Sequence, residues 1–136
     1  MARTYAMQAL YQWQFTFEDA ESLIDTFLFE EGIRSEVVDI AYFQALLRGI
    51  LTDVAAMDEL MIPHLDRDIS RLNPVELAVL RLGVFELARC PEVPYAVAIN
   101  EAIELAKEYG SADGYKFVNG ILNALAPSLR EGEYRR

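Results

Sequence analysis

The sequence is poor in the residues that build reactive centres: among 136 residues there are one cysteine, Cys90, one histidine, His64, and two lysines, Lys107 and Lys116. A single cysteine closes no intramolecular disulfide, forms no cysteine-rich zinc site, and suits a reducing cytosol. No apolar run approaches the ~20 residues of a membrane span, and the start Met1-Ala2-Arg3-Thr4-Tyr5 lacks the basic and apolar regions of a signal peptide. The expectation is a soluble, cytoplasmic protein without membrane contact. Glycine-rich phosphate loops, zinc-binding HExxH helices and nucleophile elbows are also missing. His64 has no nucleophile or orienting partner and reads as a surface or packing residue; Cys90, before Pro91, reads as an inert packed thiol. No catalytic residue, metal ligand or cofactor is expected.

What is present is apolar residues and acid. Hydrophobic residues make up 53% of the chain, enough for a real core in one domain. The net charge of −10 argues against coating nucleic acid by bulk electrostatics. The acid is unevenly placed: residues 1–66 hold three basic against twelve acidic residues, and residues 67–136 hold nine against ten. An anionic ligand would meet the second half.

Helical periodicity dominates and no stretch alternates like a strand, so the fold class is all-α, in two helical lobes over about 1–69 and 70–130 with a short tail at 131–136. The first helix covers residues 2–17, with Ala2, Ala6, Ala9, Leu10, Trp13 and Phe17 on one face. Met7, Tyr11 and Phe15 form a second stripe turned away from it. A helix after Glu18-Asp19 turns Leu23, Ile24, Phe27 and Leu28 inward and stops at Gly32. Ser35 caps a long helical stretch from Glu36-Val37 toward Pro63. Asn73-Pro74-Val75-Glu76 is the clearest helix start, with Glu76 placed to return a bond to the cap. The segment from Val75 to Ala88 is apolar all round and should be central. Glu86 within it needs a partner such as an arginine from another helix. A helix from Tyr95 to Tyr109 stops at Gly110, and a last one carries Val118, Ile121, Leu122 and Leu125 inward until Pro127 ends it, leaving a frayed tail.

Two features point beyond packing. The stripe of Tyr11 and Phe15 lies on a helix that already has a core face, and so packs between lobes or meets a partner. Lys107, Tyr109, Lys116 and Phe117 flank the Gly110–Gly114 connection, with Asn119 and Asn123 one turn apart beyond it. Basic and amide groups interleaved with aromatics grip single-stranded RNA through phosphates, base faces and base edges.

The runs Ala2-Arg3, Ala6 to Gln14, Tyr42-Phe43 with Leu46 to Gly49, Val79 to Arg81 with Phe85 to Leu87, Pro94-Tyr95 with Ala98 to Lys107, and Lys116 to Leu122 together resemble the NusB family of bacterial transcription antitermination factors. The resemblance covers essentially the whole chain in order, and the Ile99–Lys107 and Phe117–Leu122 blocks are its most specific parts. It implies about seven helices in two lobes and no catalysed reaction. It also implies binding of the boxA element of ribosomal RNA leaders together with NusE, a small-subunit ribosomal protein, in an antitermination complex with RNA polymerase. The family's RNA contacts map onto Arg3, Lys107, Tyr109, Asp113, Lys116 and Phe117, and its NusE contacts onto Tyr11, Phe15 and Glu76. An acidic first half then suits a basic ribosomal protein. The chain departs from the family in one respect. Several arginines commonly precede the position of Arg3, which here stands alone, so the isolated protein should bind RNA more weakly and with a flatter salt dependence.

The sequence also accommodates a protein-only helical adaptor, or a homodimer of the free protein that buries Tyr11 and Phe15 against itself, with little RNA affinity. A similar helical domain precedes some ribosomal RNA cytosine methyltransferases, but 136 residues leave no room for their cofactor fold.

Overall fold

A computed structural model of the chain describes residues 1–30, 33 and 38–134. The described residues contain no strand and form α1 (Ala2–Thr16), α2 (Ala20–Asp25), α3 (Ile40–Thr52), α4 (Val54–Met61), α5 (Pro74–Arg89), α6 (Tyr95–Tyr109), α7 (Gly114–Leu129) and the four-residue α8 (Glu131–Tyr134). The all-α expectation holds. The expected stop at Gly32, the Ser35 cap and the start at Glu36-Val37 lie outside the described residues.

The apolar-all-round segment is α5, and it is central: α1, α3, α4, α6 and α7 all pack on it. Every residue from Glu76 to Leu87 is buried. Two glycines set how closely its neighbours approach. A Cβ at Gly49 of α3 would collide with the Phe85 ring, and one at Gly83 would lie 2.8 Å from Leu122 Cδ1 of α7. The α5 N-terminus is capped as its sequence predicts, with Asn73 Oδ1 accepting from the N–H groups of Val75 and Glu76. At the other end Arg130 donates to Leu87 O, which the helix leaves open before Pro91, and adds a second donor to Glu86 O and Cys90 O, which also accept from Cys90 N–H and Val93 N–H.

Five local readings are corrected. Met7 is buried, not part of an outer stripe, because α1 lies between α3 and α5 and so buries more than one face. Phe17 is 71% exposed, because α1 ends at Thr16 and Phe17 takes the left-handed backbone (φ 53°) that swings it off the helical wheel against Trp13. The stretch toward Pro63 is two helices. The chain bends by 75° at Asp53, which returns Met57 and Met61 to the core. Pro127 lies inside the last turns of α7, where its missing N–H removes one bond and Arg130 N–H still reaches Ala126 O at 2.8 Å. The tail is folded as far as Tyr134: Glu133 accepts from Tyr95 N–H and pairs with Arg130, and the Tyr134 ring lies 5.4 Å from that of Tyr95.

No single described helix is long and apolar enough to cross a membrane. The bent α3–α4 pair has the length and composition, but Phe43, Leu46, Leu47, Ile50, Met57 and Met61 of that pair are core residues.

Candidate nucleic-acid and partner interfaces

The two lysines come from different helices. Lys107 occupies the last turn of α6 and Lys116 the first turn of α7, and the Gly110–Gly114 connection folds them back around one ring. Lys107 Nζ lies 5.1 Å and Lys116 Nζ 6.0 Å from the Tyr115 ring centre. A tyrosine face between two ammonium groups offers a base both a stacking surface and counter-charge for its phosphates. Each lysine also has a loose carboxylate neighbour, Glu104 at 3.8 Å and Asp113 at 3.4 Å, in exposed pairs that water and salt screen.

The other residues expected with them are distributed around this cluster. Tyr109, at the end of α6, is exposed; residual burial and the adjacent Glu108 carboxylate raise its phenol pKa, and Gln8 and Tyr5 of α1 lie near enough to act on it. Phe117 follows Tyr115 by two positions, about 200° round the helix. There it carries the Arg67 guanidinium 5.1 Å above its ring. Asn119 and Asn123 are exposed, with the Asn123 amide donating back to Asn119 O.

Arg3 has a different environment. Its Nε donates to both carboxylate oxygens of Glu86, at 2.8 and 3.0 Å, and its side chain is 22% exposed. Burial works against the Arg3 charge, but the bond to Glu86 and the charge of that carboxylate outweigh it and raise the pKa. Tyr42 OH completes the group by donating to Glu86. The arginine that Glu86 requires is therefore Arg3, the same residue expected among the RNA contacts.

Further along α1, Tyr11 and Phe15 are 40% and 62% exposed and meet edge to face, ring centres 5.2 Å apart. The α5 N-terminus backs this helix, with Gln14 Nε2 donating to Pro74 O at 2.8 Å. Glu76 does not extend the exposed patch. It is 7% exposed, and its Oε2 accepts from Ser111 N–H and Oγ–H at 2.9 and 2.7 Å. The expected return bond to the Asn73 cap is replaced by this contact with the connection, because Glu76 lies on the α6–α7 side of α5.

Sequence reasoning missed Tyr115, Arg67 and the Glu76–Ser111 bond. Tyr115 was open to detection, since it adjoins Lys116. Nothing local to Arg67 or Ser111 announces a partner on another element. His64 is exposed on a 3₁₀ turn, Ile62–His64, and burial pushes the Cys90 thiol up, which opposes reactivity. Among the described residues no group of three or more His, Cys, Asp or Glu is placed to hold a metal ion.

Comparison with known proteins adds to this geometry. The NusB family model matches residues 1–127. The transcription antitermination protein NusB of Coxiella burnetii is 50% identical over 131 residues, covering 96% of this chain and 94% of the relative. That of Pectobacterium carotovorum is 50% identical over 132 residues, covering 97% and 94%. The structure of T. maritima NusB superposes with a TM-score of 0.84 at 32% identity, over 99% of this chain and 95% of that one. A crystal structure of the antitermination factors NusB and NusE in complex with dsRNA matches with a TM-score of 0.83 at 30% identity, over 93% of this chain and 94% of the matched one.

Proposed function

The chain belongs to the NusB family, and from that premise we propose that it is a transcription antitermination factor, without enzymatic activity, that binds boxA RNA of ribosomal RNA leaders together with NusE and promotes read-through by RNA polymerase. The observation that carries this reading is the close match of nearly the whole chain to a NusB solved with NusE and RNA. The geometry supports it with two separate surfaces of the required chemistry.

The RNA surface is assigned to Lys107, Tyr109, Asp113, Lys116 and Phe117, with Tyr115 between the lysines. Arg3, expected with them, has its charge neutralised by Glu86. The NusE surface is assigned to Tyr11 and Phe15 on α1; Glu76, expected with them, is buried on the α6–α7 side of α5 and bonded to Ser111, and so stands apart from that surface. An acidic first half complements a basic ribosomal protein and leaves RNA to the less acidic second half.

The test is binding of a fluorescent single-stranded boxA dodecamer, and of the same strand in a duplex, with and without purified NusE across a salt series. Weak binding alone, tight binding with NusE, and loss of the NusE effect in Tyr11→Asp are expected. No specific RNA binding under either condition, together with sedimentation as a dimer that Tyr11→Asp dissociates, would replace this reading by the homodimeric adaptor, which the exposed Tyr11–Phe15 pair alone would also serve.

A further inference from the structure

We propose that Glu76 is the positioning residue of the RNA-binding connection, holding Gly110–Gly114 in the shape that sets the two lysines around Tyr115. The proposal rests on the RNA-binding reading above and assigns Glu76 to the inner side of that surface.

A carboxylate this buried must be fully paired, and Glu76 Oε2 is paired with both donors of a single connection residue, Ser111. The α5 cap does not need it, because Asn73 already accepts the first free N–H groups. The connection is built to receive it. A Cβ at Gly110 would lie 2.7 Å from Ala106 O and 3.1 Å from Glu76 Oε2, and one at Gly114 would overlap the carboxylate, 2.9 Å from Oε1 and nearer still to Oε2. Gly114 thus leaves a slot that the Glu76 carboxylate fills, with Gly110 at its edge. Lys107 lies just before this slot and Lys116 just after it, so the bond to Ser111 fixes how the two helix ends face each other across the Tyr115 ring.

The experiment uses the full chain and its Glu76→Ala, Glu76→Gln, Gly114→Ala and Glu76→Ala/Gly114→Ala variants. It measures affinity for boxA RNA across a salt series, affinity for NusE, and amide exchange at Ser111. We expect Glu76→Ala and Gly114→Ala each to weaken RNA binding about tenfold while leaving the salt slope unchanged, because neither removes a cation that neutralises a phosphate. NusE affinity should stay within about twofold. Glu76→Gln should keep most of the RNA affinity, since an amide oxygen still accepts from Ser111. In the Glu76→Ala background, Gly114→Ala should cost nothing more, because the carboxylate its Cβ would strike is gone. Ser111 exchange should rise at least about tenfold in Glu76→Ala without RNA present.

Wild-type RNA affinity in Glu76→Ala, loss of NusE affinity in its place, or an additive double variant each overturns the positioning role. Unprotected Ser111 in the wild-type protein overturns the bond itself, whatever the RNA result. Wild-type protein that binds no boxA RNA with or without NusE overturns the functional reading and this role with it, an outcome separate from failure of the Glu76–Ser111 bond.

Discussion

At the scale of single residues, the Arg3–Glu86–Tyr42 group shows what sequence reasoning can and cannot reach. An acid on an all-apolar helix announces that it needs a cation, and that much was legible from Glu86 alone. Which cation was not, because the pair spans 83 positions and only packing brings α1 beside α5. Removing one member of a buried pair strands the other, which costs about 3–5 kcal/mol in buried examples. Arg3 keeps some contact with solvent, so Arg3→Ala should lower unfolding stability by roughly 3 kcal/mol. An arginine serving only RNA phosphates would lower RNA affinity and leave denaturant midpoints alone, so urea unfolding separates the two roles. Tyr42 adds a pH dependence. Burial, then its hydrogen bond to Glu86 and the charge of that carboxylate, raise its phenol pKa well above the ordinary 10.0. A group whose folded pKa is raised contributes stability that is complete below the unfolded pKa and declines as pH rises toward the folded one. Tyr42→Phe should therefore cost about 1–2 kcal/mol at neutral pH. Its deficit against wild type should shrink once pH passes about 10, in paired denaturation curves taken on either side of that value. A deficit that stays constant would show that the hydroxyl contributes by packing alone.

At the scale of elements, α5 is held at both ends by different means, and only one was visible in advance. The Asn73 cap acts on residues two and three positions away, so the local string Asn-Pro-Val-Glu reveals it. The C-terminal cap comes from Arg130, 40 to 44 positions on, in a segment expected to fray. Local pattern carries no record of a long-range cap, and the same blindness hid the bend at Asp53, since both halves of the α3–α4 stretch keep helical periodicity. The two caps should differ in weight. Asn73→Ala leaves N–H groups near solvent and should cost about 1 kcal/mol. Arg130→Met leaves Leu87 O without a donor and takes a second, charged donor from Glu86 O and Cys90 O in a buried site, and should cost about 2–3 kcal/mol. It should also release α8, because Glu133, which accepts from Tyr95 N–H, loses its ion-pair partner. Proteolysis and thermal unfolding of the two variants check both statements. Equal losses would mean that Arg130 only covers the helix end and its bonds add nothing.

At the scale of the molecule, the net charge of −10 opposes the proposed ligand, and the placement of cations resolves the conflict. Arg3 and Arg81 are held by carboxylates in largely buried pairs, Arg3 with Glu86 and Arg81 with Asp58, and exchanging those partners for a phosphate would strand an acid inside. Lys107 and Lys116 face only exposed acids at 3.8 and 3.4 Å, pairs worth little in water, so a phosphate can take their place at small cost. The two lysines, visible as a cluster in the sequence, are thus charges that the α6–α7 connection can offer to RNA. The ring they share and the Arg67–Phe117 stack beside them became visible only once α6, α7 and the segment before α5 were brought together. Lys116→Ala should consequently weaken boxA RNA binding and reduce the slope of log K against log salt by about 0.7, the release expected for one contact on a single strand. NusE affinity should not move, because Tyr11 and Phe15 lie on α1 and Lys116 forms no bond to that helix. Arg3→Ala, measured well below its unfolding midpoint, should leave the slope intact. Should Arg3→Ala flatten the slope and Lys116→Ala leave it alone, the buried pair would be the one that opens for RNA, and the assignment of the binding surface would move from the α6–α7 connection to the start of α1.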